Sequence, residues 1–180
     1  MGIWKRVHSI IRSNKKEQIQ QMDANPFEDA AVGDIVSVDL DEYVISGKVS
    51  YFDRGYAPHR FAYYLQNGNH ISCMMIEKSR TYEIYLCEFL EGALDNVNEV
   101  PTTIDVGELG TFELEHQRND LTKTEGNTDF RNGDQLLWWK YFSQDDHYFC
   151  LQWQDGKFVA MLGMQTPQGD VKFLRSSSKH

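Results

Sequence analysis

Between Val32 and Leu174 the chain is an unbroken series of short alternating apolar segments, each closed by a turn, and no part of this stretch carries a helical period. Asn67-Gly68 and Asp155-Gly156 are the strongest of these punctuations, because both dipeptides suit the left-handed backbone that tight hairpin turns require. The first hairpin reads as Ile35, Val36 and Val38, then "DLDE", then Tyr43 to Tyr51. "HRFAYYLQNGNHISCMMIEK" is a second strand pair, and "TYEIYLCEFL" completes a five-strand meander. Beyond Pro101, Ile104 and Val106 precede a turn, and Phe112 and Leu114 follow it. "LTKTEGNTDFRNGD" reads as a long polar loop, and "QLLWWKYFS", "HYFCLQWQ", "KFVAMLGMQ" and "VKFLR" are closing strands.

Turns every 8 to 12 residues point to an all-β domain, an antiparallel meander sandwich or open barrel, over residues 27–174. The halves 32–98 and 101–174 share a loose likeness that admits an internal duplication, although no fixed repeat is visible. Residues 175–180, "RSSSKH", read as a disordered tail.

The N-terminus has a different pattern. Ile3, Trp4, Val7, Ile10 and Ile11 form one stripe at a period near 3.6, with Lys5, Arg6 and Arg12 on or beside the opposite face. Residues 1–24 are therefore expected to be a basic amphipathic helix and linker, ended by Asn25-Pro26. Five cationic side chains against Glu17 give residues 1–22 a charge of +4, which leaves −13 on the rest of a chain whose formal charge is −9. An acidic body repels phosphate backbones, so nucleic acid is not an expected partner. The helix instead fits an anionic membrane surface, with Trp4 at headgroup level; docking of the same stripe on protein is the alternative.

Chemistry is sparse. Gly47-Lys48 lacks the spacing of a phosphate loop, and no two histidines stand at metal-ligand spacing, so neither metal nor cofactor is expected. Cys73, Cys87 and Cys150 are odd in number, far apart and set in apolar runs, which suits reduced core residues of an intracellular protein. His59 with Arg60, and His147 beside Asp145 and Asp146, read as solvated strand-edge groups. The stronger candidates for binding a ligand or partner are Asp53, Arg54 and Tyr56 in "DRGY", and Trp138 and Trp139 in "LLWWKYF". Adjacent tryptophans on a strand point to opposite faces, so either one is a binding platform or both sheet faces are covered.

Val32 to Asp34, Tyr43 to Gly47, Asp53 to Tyr56 and Tyr63 to Leu65 together resemble the bacterial domain-of-unknown-function family 4178, with Trp138, Trp139, Tyr141, Trp153 and Gly163 as the second half of its pattern. Where that family has Trp-x-Glu before the leucine, this chain has Phe61 and Tyr63. Members are often encoded beside phage-shock protein A relatives and polyamine-synthesis enzymes. "MGIWKRVHSIIRS" is similar to the N-terminal membrane helix of phage-shock protein A. The resemblance implies a non-enzymatic adaptor of an envelope-stress system on the cytoplasmic face of the cell membrane, with a phage-shock protein A-like partner. The alternative is a small-molecule-binding β-domain that uses the aromatic cluster.

Overall fold

The computed structural model describes residues 25–92 and 94–176. Eleven antiparallel strands follow a one-turn helix, α1 (Pro26–Asp29). They are β1 (Ile35–Val38), β2 (Asp41–Phe52), β3 (Arg60–Asn67), β4 (His70–Lys78), β5 (Tyr82–Leu90), β6 (Thr103–Asp105), β7 (Thr111–Gly126), β8 (Gly133–Ser143), β9 (His147–Gln154), β10 (Lys157–Thr166) and β11 (Val171–Leu174). The five-strand meander is present as β1 to β5, and both strong hairpins form, the second on Asp155-Gly156 as read and the first one residue later than read, on Gly68-Asn69, with Asn67 paired to His70. Gly68 and Asp155-Gly156 have positive φ, as such turns require.

The sheet runs β11-β1-β2-β3-β4-β5-β10-β9-β8-β7-β6 and then closes, because β2 also pairs with β7. Eight strands, β2 to β5 and β7 to β10, make a closed barrel. This replaces the sandwich or open barrel of the sequence reading. The reason lies in β2 and β7. One edge of β2 carries β1 along Asp41–Val44, and past a bulge between Ile45 and Gly47 it carries β7 along Gly47–Phe52. Its partner segment is Leu121–Gly126, so the first part of "LTKTEGNTDFRNGD" is strand, and only residues 127–132 remain as loop. Pro26 opens α1, where its missing N–H costs no hydrogen bond.

Alternation sends every second side chain inward. The barrel interior is packed by residues such as Val49, Tyr64, Cys73, Met75, Cys150 and Met161. The outward faces are covered as well. Ile45, Tyr63, Leu65, Met74 and Ile76 lie beneath α1, β1 and β11, and Trp139, Tyr141, Phe149 and Leu151 lie beneath residues 94–106. Lys48 secures α1 by donating to the carbonyls of Glu28 and Ala30, at 2.5 and 2.8 Å, above the rings of Phe61 and Tyr63. The three cysteines are free and buried. Among the described residues no helix is long and apolar enough to cross a membrane.

Candidate functional site: the open mouth of the barrel

The two ends of the barrel are unlike. At one end residues 127–132 fold over the opening and insert Phe130 into the interior core. The plug is fastened by backbone-directed bonds: Asn127 N–H to Ser46 O at 2.9 Å, Arg131 N–H to Gln154 Oε1 at 2.9 Å, and Thr122 Oγ1 to Arg131 O at 2.9 Å. The other end opens onto a polar cleft of about 380 Å³.

Arg60 forms the floor of this cleft. It is the first residue of β3 and in phase with the inward row Ala62 and Tyr64, so the alternation of the strand carries its side chain inside, where it is 0% exposed. The guanidinium lies 3.9 Å from the centroid of the Trp138 ring and 4.9 Å from that of Tyr51. Nη2 donates to Tyr148 Oη at 2.9 Å and to Cys150 Sγ at 3.0 Å. Nε stands 3.5 Å from Glu77 Oε1 without hydrogen-bond geometry, and neither Nε nor Nη1 has a hydrogen-bond partner among the described residues. Burial alone would lower its pKa, but Tyr148, Cys150, Glu77 and Tyr51 hold it above the ordinary value, so Arg60 is charged. Glu77 in turn takes Lys140 Nζ at 2.8 Å.

β7 supplies the opposite wall. Two bulges, between Leu114 and His116 and between Asp120 and Thr122, bracket the row His116, Arg118 and Asp120, which faces Lys140, Trp138 and Leu136 of β8. This row descends from exposed His116 to buried Asp120. Asp120 Oδ2 accepts the Trp138 indole N–H at 2.7 Å and lies 3.1 Å from His59 Nε2, while Oδ1 is 3.4 Å from Arg118 Nε. Arg118 also pairs with Asp53. Burial would raise the Asp120 pKa, but the adjacent His59 ring, the hydrogen bond from Trp138 and the charge of Arg118 outweigh it and lower the value.

Asp53, His59 and Asp120 bring candidate metal-ligand atoms within 4.8 Å of one another. Arg118 already bridges the two carboxylates, so this trio belongs to an ion network that fixes Trp138. A second cleft, of about 870 Å³, continues along the rim and is acidic, with Glu83 and Glu115 lining both. An anion is repelled from that side and favoured on the Arg60 side.

Of the sequence candidates, Asp53 and Trp138 meet this network. Tyr56 stands 76% exposed in the β2–β3 turn, whereas both tryptophans are buried. Arg54 is exposed in the same turn. Trp138 is inside the barrel at 2% exposure and Trp139 is outside it, beneath residues 94–106, at 3%. The proposed aromatic cluster of Tyr56, Trp138 and Trp139 is thus not assembled, because the pleat sends adjacent tryptophans to opposite faces and both faces are covered. Ile3, Trp4, Lys5, Arg6, Val7, Ile10, Ile11 and Arg12 lie outside the described residues. The sequence reading of Arg60 as a solvated strand-edge group is corrected, since β3 carries the side chain inward to 0% exposure, and Glu77, Arg118, Asp120 and Lys140 were passed over. Their signal was phase: each falls on the inward row of its strand.

Residues 31–168, well over half of the chain, match a known family. The chain belongs to the family of the domain of unknown function DUF4178. Neither a curated protein nor a solved structure matches it. The DUF4178 match begins just before β1 and ends between β10 and β11, so all eight strands of the barrel and the whole mouth fall within the family domain.

Proposed function

We propose that this DUF4178 chain is a non-enzymatic binding protein that holds a small polar molecule at the open mouth of its barrel. Arg60 carries the reading: a charged, fully buried guanidinium, stacked on Trp138, with N–H groups left unpaired at the floor of a cleft. A buried polar group without a partner costs about 1–3 kcal/mol, and more when charged, which a bound acceptor would relieve. The neighbouring titratable groups are committed to one another, as Glu77 is to Lys140 and Asp120 is to Trp138, His59 and Arg118, which suits holding a ligand rather than cycling protons. Amide chemical-shift mapping of the full chain against separate mixtures of cationic, neutral and anionic small molecules tests this. Shifts concentrated at His59–Arg60, Glu77–Lys78, His116–Arg118 and Trp138–Lys140 are expected. No shift at these positions with any mixture would refute it.

The amphipathic stripe of residues 3–12 favours a second part of the same reading, in which the chain sits on the inner face of an anionic membrane and presents the barrel to an envelope-stress partner of phage-shock protein A type. Liposome co-sedimentation of the full chain and of a chain without residues 1–24 tests it: binding should need both the segment and anionic lipid, and should weaken with salt.

A further inference from the structure

The charges on the floor of the mouth do not balance. Arg60 and Lys140 are two cations that share one carboxylate, Glu77: Lys140 Nζ stands 2.8 Å from Oε2 and Arg60 Nε 3.5 Å from Oε1. Asp120, the buried carboxylate of the opposite wall, is committed to Trp138, His59 and Arg118. The Tyr148 hydroxyl adds a third claim on Glu77, at 3.5 Å from Oε1. Glu83 and Glu115 line the same cleft on the side of its acidic neighbour, but at the floor itself Arg60 and Lys140 pair with Glu77 alone, and among the described residues Nε and Nη1 of Arg60 have no hydrogen-bond partner.

We infer that the group received at the mouth is a small oxyanion, a carboxylate or a phosphate, and that the Lys140–Glu77 ion pair is the latch it opens. This rests on the mouth being a ligand site. A planar guanidinium presents N–H donors in a fork that matches the oxygens of such anions, and stacking on Trp138 and Tyr51 holds the fork in place before any ligand arrives. A neutral carbonyl would satisfy a donor but leave the charge uncompensated. Arg60 itself has 1% side-chain exposure, whereas Lys140 and Glu77 have 14% and 13%. The anion thus meets Lys140 first, draws its ammonium away from Glu77, and reaches the guanidinium beneath. Glu77 competes with the ligand for the same two cations.

That competition gives a test with a sign that a merely structural ion network does not share. Full-length protein is titrated calorimetrically at low salt with inorganic phosphate, with acetate, and with acetamide as the neutral isostere of acetate. One anion per chain should bind and acetamide should not; preference for phosphate or for acetate assigns the source of the oxyanion. Glu77→Gln removes the competing charge and should tighten anion binding about tenfold, Lys140→Met should weaken it about tenfold, and Arg60→Met should abolish it. Should Arg60→Met fail to fold, the Glu77 and Lys140 variants decide, since each alters one partly exposed side chain. Anion affinity unchanged or weakened by Glu77→Gln, acetamide binding as well as acetate, or no binding of either anion would each overturn the inference. If neutral or cationic mixtures still shift the mouth resonances, the mouth is a ligand site with the wrong ligand class assigned; if no mixture does, both readings fall.

Discussion

Asp120 shows how one side chain ties a sequence candidate to a site that its own pattern does not announce. It joins Asp53, through Arg118, to Trp138, and through Trp138 to the stacked Arg60. Asp120→Asn keeps an acceptor for the indole but leaves Arg118 short of a charge, and should cost about 3 kcal/mol, measured by urea unfolding at neutral pH. The pH dependence has a definite direction. The folded-state pKa of Asp120 is lowered, so its stabilisation is complete above the unfolded value of about 3.9 and is lost as pH falls through the folded value. Unfolding midpoints of the wild type should therefore fall more steeply with acid than those of Asp120→Asn. The signal that places Arg60 and Glu77 indoors is strand phase, and phase was hidden because β3 and β4 are buried on both faces. In "RFAYYL" every residue is buried, so apolar alternation cannot say which set of side chains faces the barrel.

Among the elements, β7 departs furthest from its sequence reading. Leu121 to Gly126 contains little apolar signal, and its inward positions are threonines, of which Thr122 is 4% exposed. It is a strand because β2 offers a free edge there, and that edge exists because the bulge at Ile45/Gly47 redirects β2 away from β1. Gly47 is the tight point of this seam. A Cβ there would stand 1.9 Å from the carbonyl oxygen of Asn127 and 2.9 Å from Thr128 Cγ2, so Gly47→Ala must push the plug loop outward. We expect a cost of about 1–3 kcal/mol in urea unfolding, with faster amide hydrogen exchange at Asn127, whose N–H bonds Ser46 O.

For the whole molecule, closure settles what each aromatic residue does. Trp138 and Trp139 are neighbours in sequence and almost equally buried, one against the mouth network and one against residues 94–106. Truncating either to alanine should cost about 3–5 kcal/mol. Only Trp138→Ala, which removes the face on which Arg60 stacks, should also weaken oxyanion binding, and calorimetric titration of the two variants in parallel distinguishes them. Alternation and turn chemistry are local properties of the chain, so the all-β class, the hairpins around Gly68 and at Asp155-Gly156, and most strand bounds could be read before any coordinates. Closure is not local: β2 and β7 pair residues about 70 to 80 positions apart in sequence, through backbone groups that every residue carries and no side-chain pattern encodes. The plugged end, the open mouth and the buried charge of Arg60 all follow from that pairing, and only the tertiary structure could decide them.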